Sequence, residues 1–107
     1  MDEVHLRLLK AIEANPQATQ RELSQALGVS LGKANYCLKA LVGKGWVKVN
    51  NFRASPNKVA YAYLLTPRGL DAKAQLTVRF LRRKVREYES LRREIAELRR
   101  EVDGRPS

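Results

Sequence analysis

The sequence has one cysteine, one histidine and no apolar run longer than seven residues. Because Cys37 has no second cysteine to pair with, an intramolecular disulfide is excluded, which agrees with a reducing cytoplasm. The longest apolar run, residues 59–65, is too short to cross a bilayer. The N-terminal residues do not resemble a signal peptide. We therefore expect a cytoplasmic protein with no membrane partner, in which Cys37 is a buried structural thiol.

The residue types that catalysis and metal binding require are also scarce. His5 is the only histidine, and a single donor of this kind cannot bind zinc. The sequence contains no carboxylate pair, glycine-rich phosphate loop or metal-ligand spacing. We therefore expect a protein that is not an enzyme, with no cofactor and no metal site.

Acidic residues are missing from the middle of the chain. The protein has 21 Lys and Arg against 11 Asp and Glu, a formal net charge of +10. No Asp or Glu occurs between Glu22 and Asp71. Scattered basic residues usually form a solvated face of mixed sign, but here the second sign is absent. Such a surface predicts attraction to a polyanion. The basic residues of this acid-free segment are Lys33, Lys39, Lys44, Lys48, Arg53, Lys58 and Arg68.

Apolar spacing and capping signals predict three short helices before residue 46. The first ends at Asn15-Pro16, because the residue before proline avoids the α region. Thr19 and Glu22 form a capping box for the second helix. Gly28 suits the left-handed C-cap of that helix, and Ser30 suits the N-cap of a third. The short connection predicts a helix-turn-helix, with an αα-hairpin in another kind of bundle as the alternative.

The third predicted helix has an apolar face and a polar face. Helical spacing assigns Ala34, Leu38, Leu41 and Val42 to the core. The opposite face has no local structural role that we can identify. Asn can pair with an adenine edge, Lys can contact guanine or phosphate, and Tyr can contact phosphate or a thymine methyl. We interpret this face as a surface that reads nucleic acid, formed by Lys33, Asn35, Tyr36 and Lys39.

Two alternating segments after the third helix predict a β-hairpin. Residues 46–50 and 59–65 alternate and are rich in β-branched or aromatic residues. Residues 51–58 contain loop formers. The pattern leaves open which face of the second strand is core. The hairpin would form a wing, residues 50–58, carrying Arg53 and Lys58 and no acid. The predicted fold class is thus mainly α with a small β-hairpin wing, a winged helix-turn-helix domain over residues 1–66.

A long helix is predicted after Thr66-Pro67, because Pro suits the first helical position and no Gly or Pro interrupts residues 70–103. From Tyr88 its apolar residues recur at alternating steps of three and four, a heptad pattern typical of a two-stranded coiled coil. We expect residues 67–103 to be a dimerisation helix, coiled coil from about residue 88, and residues 104–107 to be a disordered tail. The predicted dimerisation residues are Leu81, Tyr88, Leu91, Ile95, Leu98 and Val102.

The charges beside these heptad positions favour a parallel homodimer. Position g holds Glu87, Glu94 and Glu101, and position e holds Arg92 and Arg99. A parallel pair brings each g residue to the e residue of the next heptad on the partner, which joins opposite charges. An antiparallel pair joins like charges instead. The alternative is a single solvated helix with intrahelical ion pairs such as Arg83–Glu87.

These elements together resemble the winged helix-turn-helix of MarR-type bacterial transcriptional regulators. The resemblance covers about residues 4–70 and rests on the Leu-Gly-Val-Ser turn, the KGWVKV strand entry and the LLTPRG exit. The short chain with its C-terminal helix is similar to a small subgroup found with exopolysaccharide gene clusters. The resemblance implies a homodimer on double-stranded DNA, with helix Ser30–Val42 in the major groove and the wing on the backbone or minor groove. By position it implies contacts from Ser30, near a phosphate, and from Lys33, Asn35, Tyr36, Lys39 and Arg53.

The chain also departs from that family. Typical members are longer and build a phenolic-ligand pocket from extra terminal helices. This chain has one C-terminal helix and no obvious residues for such a pocket, so the sequence leaves open whether a small-molecule effector exists. A homodimer would bind a palindromic operator with half-sites about 34 Å apart. The main alternative is a winged-helix protein–protein module whose coiled coil docks a partner. Binding to single strands is a lesser alternative, because no platform of exposed aromatics is evident.

Overall fold

The computed structural model describes residues 3–105 apart from residues 56 and 57, and the side chains of residues 52–60 also lie outside the described part. Two compact units are present, the first ending at Leu76 and the second beginning at Thr77. The described elements, in chain order, are α1 Glu3–Ala14, α2 Gln20–Leu27, α3 Leu31–Gly43, β1 Val47–Ser55, β2 Lys58–Leu65 and α4 Pro67–Asp103.

The caps of α2 and α3 are those that the sequence predicts. The Thr19 hydroxyl accepts from the Glu22 N–H at 3.1 Å, and the Glu22 carboxylate accepts from the Thr19 N–H at 3.3 Å. Gly28 ends α2 with φ of 69°, in the left-handed region that glycine tolerates best. The Ser30 hydroxyl caps α3 by accepting from the Lys33 N–H at 3.1 Å. The helix-turn-helix is therefore fixed by local hydrogen bonds at each end of its turn.

The core of the first unit lies between α1, α2, α3 and the base of the hairpin. Cys37 is fully buried in it, as predicted. The prediction that Val42 is buried is wrong, because its side chain is 38% exposed. Val42 follows Leu41 by one residue, a rotation of about 100° around the helix, which carries it off the buried face. The fully buried large side chains are Leu8, Leu9, Ile12, Leu41, Val47 and Cys37.

The wing is a two-stranded antiparallel sheet that is longer than predicted. Strand β1 continues to Ser55 and β2 begins at Lys58, with a bulge between Arg53 and Ser55. The prediction of a loop over residues 51–58 is therefore wrong for most of its length, because strand pairing overrides the loop preference of these residues. At the base of the sheet, Tyr63 is buried while Tyr61 is 53% exposed. The Tyr63 face of β2 is thus core near the base and solvent-exposed further along.

Helix α4 begins where it packs against the start of β1. The Thr66 hydroxyl accepts from the Gly69 N–H at 3.0 Å, which confirms Thr66 as the N-cap. The Thr66 N–H donates to the Trp46 carbonyl at 3.0 Å. Further along, Lys73 forms an ion pair with Glu13 of α1, with 2.6 Å between Nζ and Oε1. These contacts fix the first turns of α4 within the first unit.

The second unit consists of the remainder of α4 and the residues after it. Every described residue from Leu81 to Arg105 is exposed. The large apolar side chains from Leu81 onward are therefore open to solvent. Although α4 has 37 residues, none of the described helices has the apolar length that crossing a bilayer requires.

Candidate nucleic-acid interface

Helix α3 is held by its inner face and leaves its outer face open to solvent. Ala34, Leu38 and Leu41 are buried against the core of the first unit. These three side chains recur at helical spacing, so they fix the rotation of α3 about its own axis. The rotation determines which side chains can meet a partner.

The outer face of α3 presents a tyrosine and two lysines between two glycines. Gly32, Tyr36, Lys39 and Gly43 follow one another at steps of four, three and four, which places them in one stripe along the helix. Lys33 lies beside this stripe and is also exposed. Tyr36 is 70% exposed, so little of its ring packs on the protein. The predicted residues Lys33, Tyr36 and Lys39 therefore lie on one open face.

Asn35 lies at the edge of this face and is half-buried rather than fully exposed. Its Nδ2 donates to Oε1 of Gln20, the first residue of α2, at 3.1 Å. The Gln20 Nε2 in turn donates to the hydroxyl of Tyr63 at 3.4 Å. Gln20 is not evident as a site residue from the sequence, because residues 20 and 35 meet only after α2 and α3 have packed together.

Of the other predicted contact residues, the structure describes the side chain of Ser30 but not those of Arg53 and Lys58. Ser30 is exposed, and because its oxygen accepts the cap hydrogen bond, its hydroxyl hydrogen remains able to donate. Arg53 lies in β1 opposite Val59, and Lys58 lies in β2 opposite Ser55. The side chains of Arg53 and Lys58 are outside the described residues, so the predicted role of the wing stays a prediction.

The described part of the acid-free segment carries uncompensated positive charge. Its described basic side chains are exposed, and none of them forms an ion pair with another described residue. Lys44 packs over the Trp46 ring at 5.4 Å from the centroid, which leaves its charge in place. Among the described residues, no cluster of His, Cys, Asp or Glu could hold a metal ion. The exposed basic residues are Lys33, Lys39, Lys44, Lys48 and Arg68.

The predicted dimerisation residues lie in α4 and are open to solvent. Their side chains are between 42% and 67% exposed, which is unusual for so many large apolar residues on one helix face. Glu87 forms ion pairs of 3.4 Å with Arg83 and with Lys84, within the same helix. Glu94 and Arg99 have no ion-pair partner among the described residues. The exposed heptad residues are Leu81, Tyr88, Leu91, Ile95, Leu98 and Val102.

A protein family described as winged helix-turn-helix DNA-binding matches residues 1–48. This match covers α1, α2, α3 and the start of β1, the part of the chain that forms the helix-turn-helix. No curated protein sequence matches the chain significantly.

Solved structures of bacterial regulators share the fold. A MarR/EmrR family transcriptional regulator from Acinetobacter sp. ADP1 is 19% identical, with a TM-score of 0.60 over 98% of this chain and 78% of that chain. FabT from Streptococcus pneumoniae, solved in complex with DNA, is 19% identical, with a TM-score of 0.61; the match covers 96% of this chain and 76% of FabT. The transcriptional repressor CouR, solved on a 23-mer DNA duplex, is 21% identical, with a TM-score of 0.70; the match covers 95% of this chain and 71% of CouR. The chain therefore has the winged-helix fold of MarR regulators, which confirms the predicted fold class.

Proposed function

We propose that this protein is a sequence-specific, double-stranded DNA-binding transcriptional regulator that acts as a homodimer in the cytoplasm. Helix α3 would enter the major groove, and the wing would contact the backbone or the minor groove. The observation that carries the proposal is the outer face of α3, which is exposed, basic and without acid in a winged-helix fold. FabT and CouR, which share this fold, were each solved with DNA.

The chemistry of the outer face fits a duplex better than it fits a protein surface. Lys33 and Lys39 would contact phosphates or guanine edges, and Tyr36 would contact a phosphate or a thymine methyl. Ser30 would donate its free hydroxyl hydrogen to a phosphate near the N-terminus of α3. Gly32 carries no side chain, and a Cβ added there would meet nothing within 4 Å, so the backbone is open to close approach. We assign backbone positioning to the lysines and Ser30, and base contact to Tyr36 and Asn35.

The apolar face of α4 supports a second copy of the chain as its occupant. Ile95 at a heptad a position with Leu91 and Leu98 at d positions favours two helices rather than three or four. The g positions hold glutamates and the e positions hold arginines, so two parallel copies of this surface would bring opposite charges together. In a parallel pair, Glu94 would face the partner's Arg99, and both groups are free of ion pairs in the described residues. We propose a parallel coiled coil through Tyr88, Leu91, Ile95, Leu98 and Val102.

Selection of bound sites from a pool of random duplexes tests the DNA-binding part of the proposal. A dimer related by two-fold symmetry should enrich an inverted repeat whose half-sites are about one helical turn, 34 Å, apart. The affinity for the enriched site should fall steeply as salt rises, because lysine contacts displace counterions from phosphates. A pool that shows no enrichment, or an affinity that barely responds to salt, would contradict the proposal.

The matched control is a variant in which Tyr36 and Lys39 are both changed to alanine. Both side chains are exposed, so the fold should be unaffected while enrichment is lost. The winged-helix protein–protein module predicts the opposite pattern. If the chain were such a module, the unmodified protein would enrich no DNA site. Helix α4 would then bind a different protein instead of a second copy of the chain.

A further inference from the structure

We propose that Gln20 is a positioning residue that sets the orientation of the Asn35 amide for base recognition. The inference rests on the proposed function and adds to it a specificity-determining residue outside α3. It follows from a hydrogen-bond chain that connects three elements, β2 through Tyr63, α2 through Gln20 and α3 through Asn35.

The hydrogen bonds connect Asn35 to Gln20 and Gln20 to the Tyr63 hydroxyl, a group that can accept or donate. The Gln20 Nε2 donates to the Tyr63 hydroxyl at 3.4 Å, so the Gln20 Oε1 is the atom that faces Asn35. That oxygen accepts from Asn35 Nδ2 at 3.1 Å. If the Gln20 amide were reversed, two NH₂ groups would face each other, and the contact would be repulsive. The contact thus ties the orientation of the Asn35 amide to the orientation of the Gln20 amide.

The Tyr63 end of the chain is anchored in the core. Tyr63 is 8% exposed, and its backbone N–H donates to the Pro16 carbonyl at 2.8 Å. Gln20 is half-buried beside it at the first position of α2, next to the capping box of Thr19. Tyr63 is therefore held by the fold, and its hydroxyl gives the Gln20 side chain a second contact beside the one with Asn35.

The remaining hydrogen-bonding groups of Asn35 suit an adenine edge. An amide has two N–H donors and one acceptor oxygen. One N–H is committed to Gln20, which leaves the second N–H and Oδ1 without a partner among the described residues. One donor and one acceptor are what bidentate pairing with the N7 and N6 groups of adenine requires. Because Gln20 holds the amide before DNA arrives, it reduces the ordering that base recognition would otherwise need.

Comparison of binding-site selections for the unmodified protein and Gln20→Ala tests this inference. The enriched site of the unmodified protein should contain one base pair per half-site whose preference Asn35→Ala abolishes. At that base pair, Gln20→Ala should reduce discrimination by about fivefold or more, within the range that one bidentate pair supplies, and leave other positions unchanged. Gln20→Glu keeps an acceptor for Asn35, so it should retain the base preference while its added negative charge lowers affinity on every sequence.

The NMR signals of the Asn35 side-chain amide provide a readout without DNA. These signals should shift in Gln20→Ala. They should shift less in Tyr63→Phe, because this variant removes only the hydroxyl at the far end of the hydrogen-bond series. If Gln20→Ala lowered DNA affinity equally on all sequences and left the base preference intact, Gln20 would contact only the DNA backbone. That result would overturn this inference and leave the proposed function standing. If the unmodified protein enriches no site, the proposed function fails, and this inference fails with it. Unchanged Asn35 amide signals in Gln20→Ala would also overturn it.

Discussion

Gly69 of α4 lies directly against the Trp46 carbonyl, so that a Cβ added at residue 69 would overlap the Trp46 oxygen and lie 2.8 Å from its carbonyl carbon. No side chain can yield to relieve such a contact, because the opposing atoms are backbone. The Trp46 carbonyl also accepts from the Thr66 N–H, which ties the start of α4 to the start of β1 at the same place. Glycine at residue 69 is therefore required by packing and not by an unusual backbone conformation.

The variant Gly69→Ala should destabilise the protein by about 3 kcal/mol or more, since overpacking against backbone forces α4 away from β1. Chemical denaturation monitored by Trp46 fluorescence measures the effect. Gly43→Ala is the matched control, because a Cβ there meets nothing within 4 Å. The control should leave stability equal or slightly higher. Equal stability of both variants would show that α4 does not pack against Trp46 as described.

Gly32 presents the opposite case, a helical glycine with no packing reason. Its position is exposed, and a Cβ there would meet nothing within 4 Å. Alanine is favoured over glycine in helices by up to about 1 kcal/mol, so Gly32→Ala should raise stability slightly. If the α3 backbone approaches DNA at this point, the same variant should weaken DNA binding about tenfold, the effect of roughly 1.4 kcal/mol. Thermal unfolding and titration of the selected duplex measure the two effects separately.

Unchanged DNA affinity in Gly32→Ala would place the DNA away from the N-terminal turn of α3. Gly43→Ala serves as the control here as well, since it lies at the other end of the same stripe. A loss of affinity confined to Gly32→Ala would therefore locate the contact at the start of the helix.

Lys33 and Lys39 should act through phosphate charge. The salt slope is the change in the logarithm of DNA affinity with the logarithm of salt concentration. Changing either lysine to glutamine should reduce its magnitude by about one for each lost phosphate contact, because one fewer counterion is released. The affinity should fall by a similar factor on specific and unrelated duplexes. Titrations at several salt concentrations measure both quantities.

Lys10→Gln is the control for charge alone. Lys10 is exposed on α1, outside the acid-free segment, and the substitution changes the net charge by the same amount. Loss of slope in Lys10→Gln equal to that in Lys39→Gln would mean that total charge, rather than the α3 surface, governs binding. Loss of preference for one base pair in Lys39→Gln would instead assign Lys39 to a base edge.

The parts of the fold that could be predicted from sequence are those that neighbouring residues determine. Thr19, Glu22 and Ser30 cap helices through hydrogen bonds that span three residues, so the short-range pattern contains the whole interaction. Gly28 ends α2 for an equally local reason. The amino-acid order alone therefore locates the helix-turn-helix to within a residue or two.

The features that the sequence could not supply depend on contacts between distant residues. Asn51 favours a loop locally, but pairing with Tyr61 keeps it in β1, and so the predicted loop is too long. Residues 20 and 35 form a hydrogen bond only after two helices pack. The exposed face of α3 was predictable from periodicity, whereas the residue that orients one of its side chains was not.

The orientation of the proposed coiled coil is testable by exchanging charges at residues 94 and 99. In a parallel dimer, Glu94→Lys or Arg99→Glu alone would replace two attractive pairs by two repulsive ones. Each should weaken self-association about 2- to 30-fold, from exposed pairs worth about 0.2–1 kcal/mol each. The double variant Glu94→Lys with Arg99→Glu should restore the original affinity, because each pair is again of opposite sign.

Sedimentation equilibrium of the full chain measures these affinities, with Glu97→Lys as the control. Residue 97 falls at a c position of the heptad, outside the e and g positions, so this charge change should have little effect. An antiparallel dimer pairs g positions with g positions and e positions with e positions, so residue 94 never faces residue 99 in that arrangement. Single variants that associate as tightly as the unmodified chain, or more tightly, would indicate an antiparallel dimer. A double variant as weak as the single variants would exclude the parallel pairing of residues 94 and 99.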